Sequence, residues 1–242
     1  MSSESETSKS WEGAMEIIRF NWPMYAVAVA VCGACLWRRD RLSLVVLAVT
    51  AYWSIGSVAV SHWIYDLSPL GHWDWLVDWI GYAEGPWAMI QAGFDSSHGA
   101  LRRAFPRPPE AVVDLYGAPG VGGASIRRAR AENPPDAPAL QSLPAANAAY
   151  EIVVAIFALH EIRSPAGREA MFASIRDSLA PGGRLVVVEH ARDWRNFLAF
   201  GPGFLHFQPK GEWRRCAGAA GLRFERERSI TPFVRALLWS KA

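Results

Sequence analysis

Two short stretches set an acid beside a histidine: His160-Glu161 and Glu189-His190. A third histidine, His206, follows in Phe204-Leu205-His206-Phe207. An imidazole titrates near neutral pH and can take the proton of a hydroxyl or thiol, while a neighbouring carboxylate holds it in one tautomer. The pairs therefore point to proton transfer from a nucleophile, with His160, Glu161, Glu189, His190 and His206 as candidate catalytic residues. Imidazole and carboxylate also suit zinc or iron. Adjacent residues on a strand face opposite ways, however, so the four paired residues do not all converge and no metal ligand set is assigned. Taken alone, each of these histidines is more commonly a hydrogen-bonded structural residue. Their placing at two strand ends singles them out.

The elements that would position them alternate between strand and helix from Trp87 onward. Strands are expected at 87–91, 111–115, 152–159, 184–189, 222–228 and 233–239, with a further short one around 139–141. Helices are expected at 97–105, 124–132, 166–179 and 211–220. The run at 152–159 is continuously apolar, as in a central strand buried on both faces. Pro181-Gly182-Gly183 is expected to stop the helix before it. Such alternation implies a parallel sheet with helices on both faces, which binds ligands at the carboxyl ends of its strands. Both acid–histidine pairs fall at such ends.

Two segments carry a resemblance. Leu143-Pro144 precedes Tyr150-Glu151-Ile152-Val153-Val154, and Leu179-Ala180-Pro181-Gly182-Gly183-Arg184-Leu185 leads into the next strand. From Trp87 to the end the chain resembles the class I methyltransferases that use S-adenosylmethionine. The resemblance implies a Rossmann-like α/β sheet of seven strands, the last antiparallel, and S-adenosylmethionine as cofactor. It places the cofactor loop at Gln91-Ala92-Gly93-Phe94-Asp95-Ser96-Ser97, with Asp114 on the cofactor ribose. An acid about 20 residues past the loop plays that part in dinucleotide folds, and Asp114 lies 21 residues after Gly93. Gln91, Gly93, Asp95, Asp114, Leu115 and Phe157 are the implied cofactor residues. A second register, with the loop at Gly117, leaves too few residues before Asp136 for the elements that must follow. The loop has one glycine where the family usually carries two or three. The stretch around Glu189-His190, Gly203-Phe204-Leu205-His206 and Glu212-Trp213 is faintly similar to membrane-associated thiol methyltransferases.

The first third of the chain differs in composition. Nine of the 12 tryptophans lie at or before Trp87, as expected of side chains at a membrane interface. Residues 42–64 are apolar and free of charged side chains, long enough for a hydrocarbon core of about 30 Å. A shorter apolar run at 24–37 precedes them across the charged turn Arg38-Arg39-Asp40-Arg41. The organisation expected is a disordered tail at 1–16, a transmembrane helical hairpin at 17–64, an interfacial amphipathic linker at 65–86 and the methyltransferase-like domain at 87–242. The expected protein is an integral membrane methyltransferase whose soluble domain lies on the cytoplasmic side and acts on a lipophilic small molecule or lipid. The arginines of the turn favour the same side as the domain, a conflict if both helices span. The alternative is a non-catalytic membrane scaffold on the same fold. The net charge of +2 gives no reason to expect a nucleic-acid partner. Three cysteines do not make a disulfide framework.

Overall fold

The computed structural model describes residues 11–81, 84–92, 97–116, 118, 121–132, 143 and 150–242. Six strands form one mixed sheet: β1 (Trp87–Gln91), β2 (Ala111–Asp114), β3 (Tyr150–Ile156), β4 (Leu179–His190), β5 (Leu222–Ser229) and β6 (Val234–Lys241), in the order β2-β1-β3-β4-β6-β5. The first four are parallel, and β6 runs antiparallel between β4 and β5. The seventh strand, expected around 139–141, falls outside the described residues.

Both faces of the sheet are covered, which explains why β3 and β4 read as unbroken apolar runs. On one face Val153, Val187 and Trp239 pack with Ile126, Phe172 and Trp213. These last come from α6 (Ala124–Glu132), α7 (Pro165–Ser178) and α9 (Lys210–Ala219). On the other face Ile152, Val154 and Val186 pack with Ile64, Trp73, Trp75 and Leu101. Trp73 and Trp75 belong to the segment around α4 (Asp74–Ile80), and Leu101 to α5 (Ser97–Ala104). The partners of Trp73 and Trp75, in the stretch expected at a membrane interface, are thus the protein's own sheet.

Two strand boundaries move. α7 ends at Ser178, and β4 begins at once with Leu179 paired to Tyr150. The Pro181-Gly182-Gly183 step is therefore not the helix stop but an irregular opening of the strand. Gly182 takes φ +73°, and a Cβ on Gly183 would lie 2.8 Å from two carbonyl oxygens. β3 stops at Ile156, not at residue 159. Phe157 turns the chain with φ +43°, and a 3₁₀ turn, Leu159–Glu161, follows.

The N-terminal helices are α1 (Glu12–Phe20), α2 (Trp22–Arg38) and α3 (Arg41–His62), the last running on through a π-helical turn, Trp63–Leu67. Helix thus starts at Glu12, inside the tail expected over 1–16. α1 and α2 meet at a bend of 76°. Pro23 stands at the start of α2, where its missing N–H and fixed φ are tolerated only at a helix beginning. The chain therefore breaks there instead of continuing straight from residue 17. Arg39 turns with φ 57°, and Asp40 caps α3 by accepting the Ser43 N–H at 2.9 Å. α2 and α3 return as an antiparallel pair, joined by Tyr25 Oη and Ser57 Oγ at 3.2 Å. Among the described residues one helix, Arg41–Leu67, is long and apolar enough to cross a membrane, or two if the bent α1–α2 pair counts as one span.

Candidate active site

α3 does not stand apart from the sheet domain. Trp53 packs edge-on against Phe197 of α8 (Trp194–Phe200), and Trp63 against Phe233. Asp66 accepts the N–H groups of Gly13 and Ala14 at 2.7 and 3.1 Å, pinning the first turn of α1. The helices thereby roof a cavity of about 350 Å³ whose floor is the carboxyl end of the sheet. Ala92 after β1, Phe157 after β3 and His190 at the end of β4 line that floor. His206 and Phe207 form one wall, while Ile17, Tyr25, Ser57, Ser61 and Tyr65 hang from above.

Four of the five candidate catalytic residues are joined on this floor. Glu189, 1% exposed, accepts the N–H groups of Leu159 and His160 on Oε1, at 2.9 and 3.3 Å, and binds His160 Nδ1 on Oε2 at 2.7 Å. The Nε2 of His160 faces Glu161 Oε1 at 3.4 Å, and His206 Nε2 reaches the same oxygen at 2.8 Å. The other Glu161 oxygen accepts from Arg163 at 3.1 Å. The strand argument that His160 and Glu161 must diverge does not hold, because they sit in a 3₁₀ turn beyond the strand. His190 belongs to a separate pair. Its Nδ1 faces the Phe233 carbonyl at 3.2 Å and its Nε2 the Tyr65 hydroxyl at 3.0 Å, so Nδ1–H donates and Nε2 accepts.

The two buried histidines titrate in opposite directions. Burial would depress His160, but Glu189 and Glu161 outweigh it and push it up to about 10, so it carries its proton at neutral pH. Burial likewise opposes the charge on Glu161, yet hydrogen bonds from His160 and His206 hold its carboxyl far below the usual range. For His190 burial dominates, reinforced by the His160 charge, and the imidazole is pulled down to about 3 and stays neutral.

The cofactor residues are divided. Gly93 and Asp95 lie outside the described residues, as does Gly117 of the second register. Gln91 and Asp114 end adjacent strands in register, and Gln91 Nε2 donates to Asp114 at 3.1 Å. Asp114 is also ion-paired with buried Arg130 and accepts the Tyr116 N–H at 3.0 Å. Leu115 is fully buried in the core and Phe157 lines the cavity. Sequence reasoning missed Tyr65 and Arg163. Tyr65 opens the stretch expected as an interfacial linker, where nothing marks it as a site residue. Arg163 carried a signal, standing two residues past Glu161.

Neither a protein-family profile nor a curated protein sequence matches the chain. Solved structures do. A SAM-dependent methyltransferase from Aquifex aeolicus superposes with a TM-score of 0.52 at 14% identity, over 74% of this chain and 95% of that one. The pyocyanin biosynthetic protein PhzM gives 0.57 at 14%, over 98% and 74%. The mitomycin 7-O-methyltransferase MmcR gives 0.50 at 15%, over 92% and 68%. At 98% coverage the match with PhzM extends over the N-terminal helices as well as the sheet. The likeness is one of fold: the chain is built on the Rossmann-like α/β fold of S-adenosylmethionine-dependent methyltransferases.

Proposed function

We propose that the protein is a membrane-attached S-adenosylmethionine-dependent methyltransferase acting on a lipophilic acceptor. One observation carries this reading: a cavity at the carboxyl end of a methyltransferase-type sheet combines a buried acid–histidine cluster with a roof of apolar helices. When bound, the cofactor supplies an electrophilic methyl on a sulfonium. The residues present suit it. A sulfonium cation is matched by the rings of Phe157 and Phe207 and the carboxylate of Glu161, all on the cavity wall. A carboxylate offers about four acceptor positions. Among the described residues Asp114 uses three, on Gln91, Tyr116 and Arg130, and a fourth would take a ribose hydroxyl.

On the acceptor side, His160 already holds a proton between two carboxylates and serves as a fixed cation that positions Glu161. The Glu161–His206 pair, open to the cavity, is left to receive the acceptor's hydroxyl or thiol proton. The lipophilic acceptor is supported by what surrounds the cavity. Trp37 (86% exposed), Leu42 (73%) and Ile55 (71%) project from α2 and α3 into solvent, and exposed Trp194, Leu198 and Leu205 continue that apolar surface onto the domain. Such a surface suits a bilayer, with the cavity mouth beside it.

Titration of S-adenosylmethionine into the detergent-solubilised full chain tests the reading. Saturable binding that Asp114→Ala weakens about tenfold or more is expected, the loss of a hydrogen bond to a charged group. No heat and no displacement by S-adenosylhomocysteine would leave the scaffold alternative. Sedimentation with membranes after a high-salt wash is the parallel expectation for the attachment.

A further inference from the structure

The ring nitrogens and carboxylate oxygen that meet on the cavity floor have the spacing of a coordination sphere. Oε1 of Glu161 lies 2.8 Å from His206 Nε2 and 3.4 Å from His160 Nε2, and the three ligand atoms lie within 4.8 Å of one another. Around an ion with bonds of about 2.0–2.1 Å, ligand atoms stand roughly 3.3 Å apart. The second shell has the matching form: His160 gives its other ring nitrogen to Glu189, and Glu189 is itself anchored by two backbone N–H groups. Histidines that ligate metals are oriented by a carboxylate in this way. We propose that His160, Glu161 and His206 form a binding site for one divalent transition-metal ion of the zinc class. Two imidazoles and one carboxylate with open positions toward a cavity make a catalytic rather than a structural ligand set.

Among the described residues Arg163 is a cation in contact with the cluster that could oppose the ion, its guanidinium lying 3.2 Å from His206 Nε2. It donates to Glu161 Oε2, the oxygen away from the histidines, and to His206 Nδ1 at 2.7 Å. Coordination through His206 Nε2 places the proton on Nδ1 and ends the second contact. At His160 the ion takes the place of the proton that Nε2 holds toward Glu161, so the ligating imidazole is neutral and keeps Nδ1–H on Glu189. Arg163 is partly exposed and can turn to solvent while keeping the first. The ion's open positions would take the hydroxyl or thiol of the acceptor. Its O–H or S–H bond breaks with the electron pair left on the oxygen or sulfur bound to the ion, and the proton passes to solvent water in the cavity, a role the Glu161–His206 pair fills only when no ion is bound. This last step rests on the methyltransferase reading; the metal site does not.

Cobalt(II) is the probe, added to tag-free full chain in detergent after treatment with chelator. One equivalent per chain is expected, with visible absorption bands of a low-coordinate nitrogen–oxygen site, displaced by one equivalent of zinc. His206→Ala, which leaves the buried part of the cluster in place, should weaken binding at least a hundredfold with an unchanged circular dichroism spectrum. Glu189→Gln should weaken it about tenfold to a hundredfold by loosening His160. Absence of a stoichiometric site, or identical cobalt binding in wild type and His206→Ala, overturns the proposal. Calorimetry with S-adenosylmethionine is run separately. Cofactor binding without metal refutes this site alone, and metal binding without the cofactor refutes the methyltransferase reading alone.

Discussion

On the floor of the cavity Glu161 and Glu189 are buried and each makes several hydrogen bonds; in the roof helix α3 two buried polar atoms, Trp53 Nε1 and Ser61 Oγ, have no hydrogen-bond partner among the described residues. Glu189 alone satisfies two backbone N–H groups and an imidazole. Ser61 Oγ, by contrast, is buried in the roof with no hydrogen-bond partner among the described residues. Buried charges are tolerated only when paired, so the floor must be assembled before it can do anything, and its chemistry is tied to stability. The roof is held by shape: Trp53 against Gly201, where an added Cβ would lie 2.6 Å from the indole, and α1 against Tyr65. Floor substitutions should therefore lower stability and activity together, and roof substitutions should change acceptor use with little effect on stability.

The largest effect that sharpens this contrast is expected from Glu189→Ala. It removes the nearer of the two carboxylates on the buried His160 cation and leaves two N–H groups unsatisfied. Breaking a buried pair in this way costs about 3–5 kcal/mol. Chemical denaturation of the solubilised protein should show a loss of that size, and Glu189→Gln, which still accepts hydrogen bonds, a smaller one. A loss below about 1 kcal/mol for the alanine variant would mean that the floor is not the rigid half.

The pH dependence of stability comes next. His190 is held at about 3 when folded against an ordinary value near 6.5. A depressed pKa means that the unfolded chain binds the proton more readily. The contribution is therefore fully present above about pH 6.5 and is lost as pH falls toward 3. The slope approaches about 1.4 kcal/mol per pH unit within that window. His190→Phe removes this component, so the fall in melting temperature between pH 6.5 and pH 4.5 should be shallower in the variant. Equal slopes would remove His190 from the acid-sensitive part of the floor.

How far this contrast could be read from the sequence differs by side. β1 and α6 lie where expected, because a short apolar strand and a helix after Gly-Gly-Ala have strong local signals. The pairing of strand ends that brings Glu189 to His160 comes with the strand order that the methyltransferase resemblance implies, not from the residues alone. The 3₁₀ turn that lets His160 and Glu161 face one cluster was not: it depends on the positive φ of Phe157, a conformation that apolar patterning does not mark. Nor was the roof. The runs in α2 and α3 have the composition of membrane helices, but the contacts of α3 with α8 and of Asp66 with α1 join residues far apart in sequence. Tyr65, at the start of the expected linker, carries no site signal because its partner, His190, lies 125 positions away.

Gly13→Ala tests the roof itself. A Cβ there would lie 2.5 Å from Tyr65 Cβ and 3.0 Å from Asp66 Oδ1, closer than packed atoms allow, so α1 must lift away. α1 closes one side of the cavity through Ile17. The expected outcome is a rise of about three- to tenfold in KM for a lipophilic acceptor, equivalent to a loss of about 0.7–1.4 kcal/mol of binding. Cofactor affinity should be unchanged, and the stability loss should stay within about 1 kcal/mol. A loss of cofactor binding alongside would show that roof and floor are one unit and would break the comparison.

The smallest effect, and the one opposite in sign to the floor, is expected at Ser61. Its hydroxyl lies in the cavity lining, and its oxygen is buried with no hydrogen-bond partner among the described residues. A buried hydroxyl without a partner carries a desolvation cost of about 1–3 kcal/mol. Replacing it by a methyl group of nearly the same volume removes that cost, so Ser61→Ala should leave the melting temperature unchanged or raise it. If the hydroxyl is kept because a polar atom of the acceptor completes it, the same variant should raise KM by about two- to tenfold, a hydrogen bond of about 0.5–1.5 kcal/mol, with turnover at saturation preserved. Stability and acceptor affinity would then move in opposite directions at one residue, which a purely structural serine cannot do. A fall in melting temperature with unchanged KM would assign Ser61 to packing between α3 and its neighbours and remove it from the roof groups that hold the acceptor.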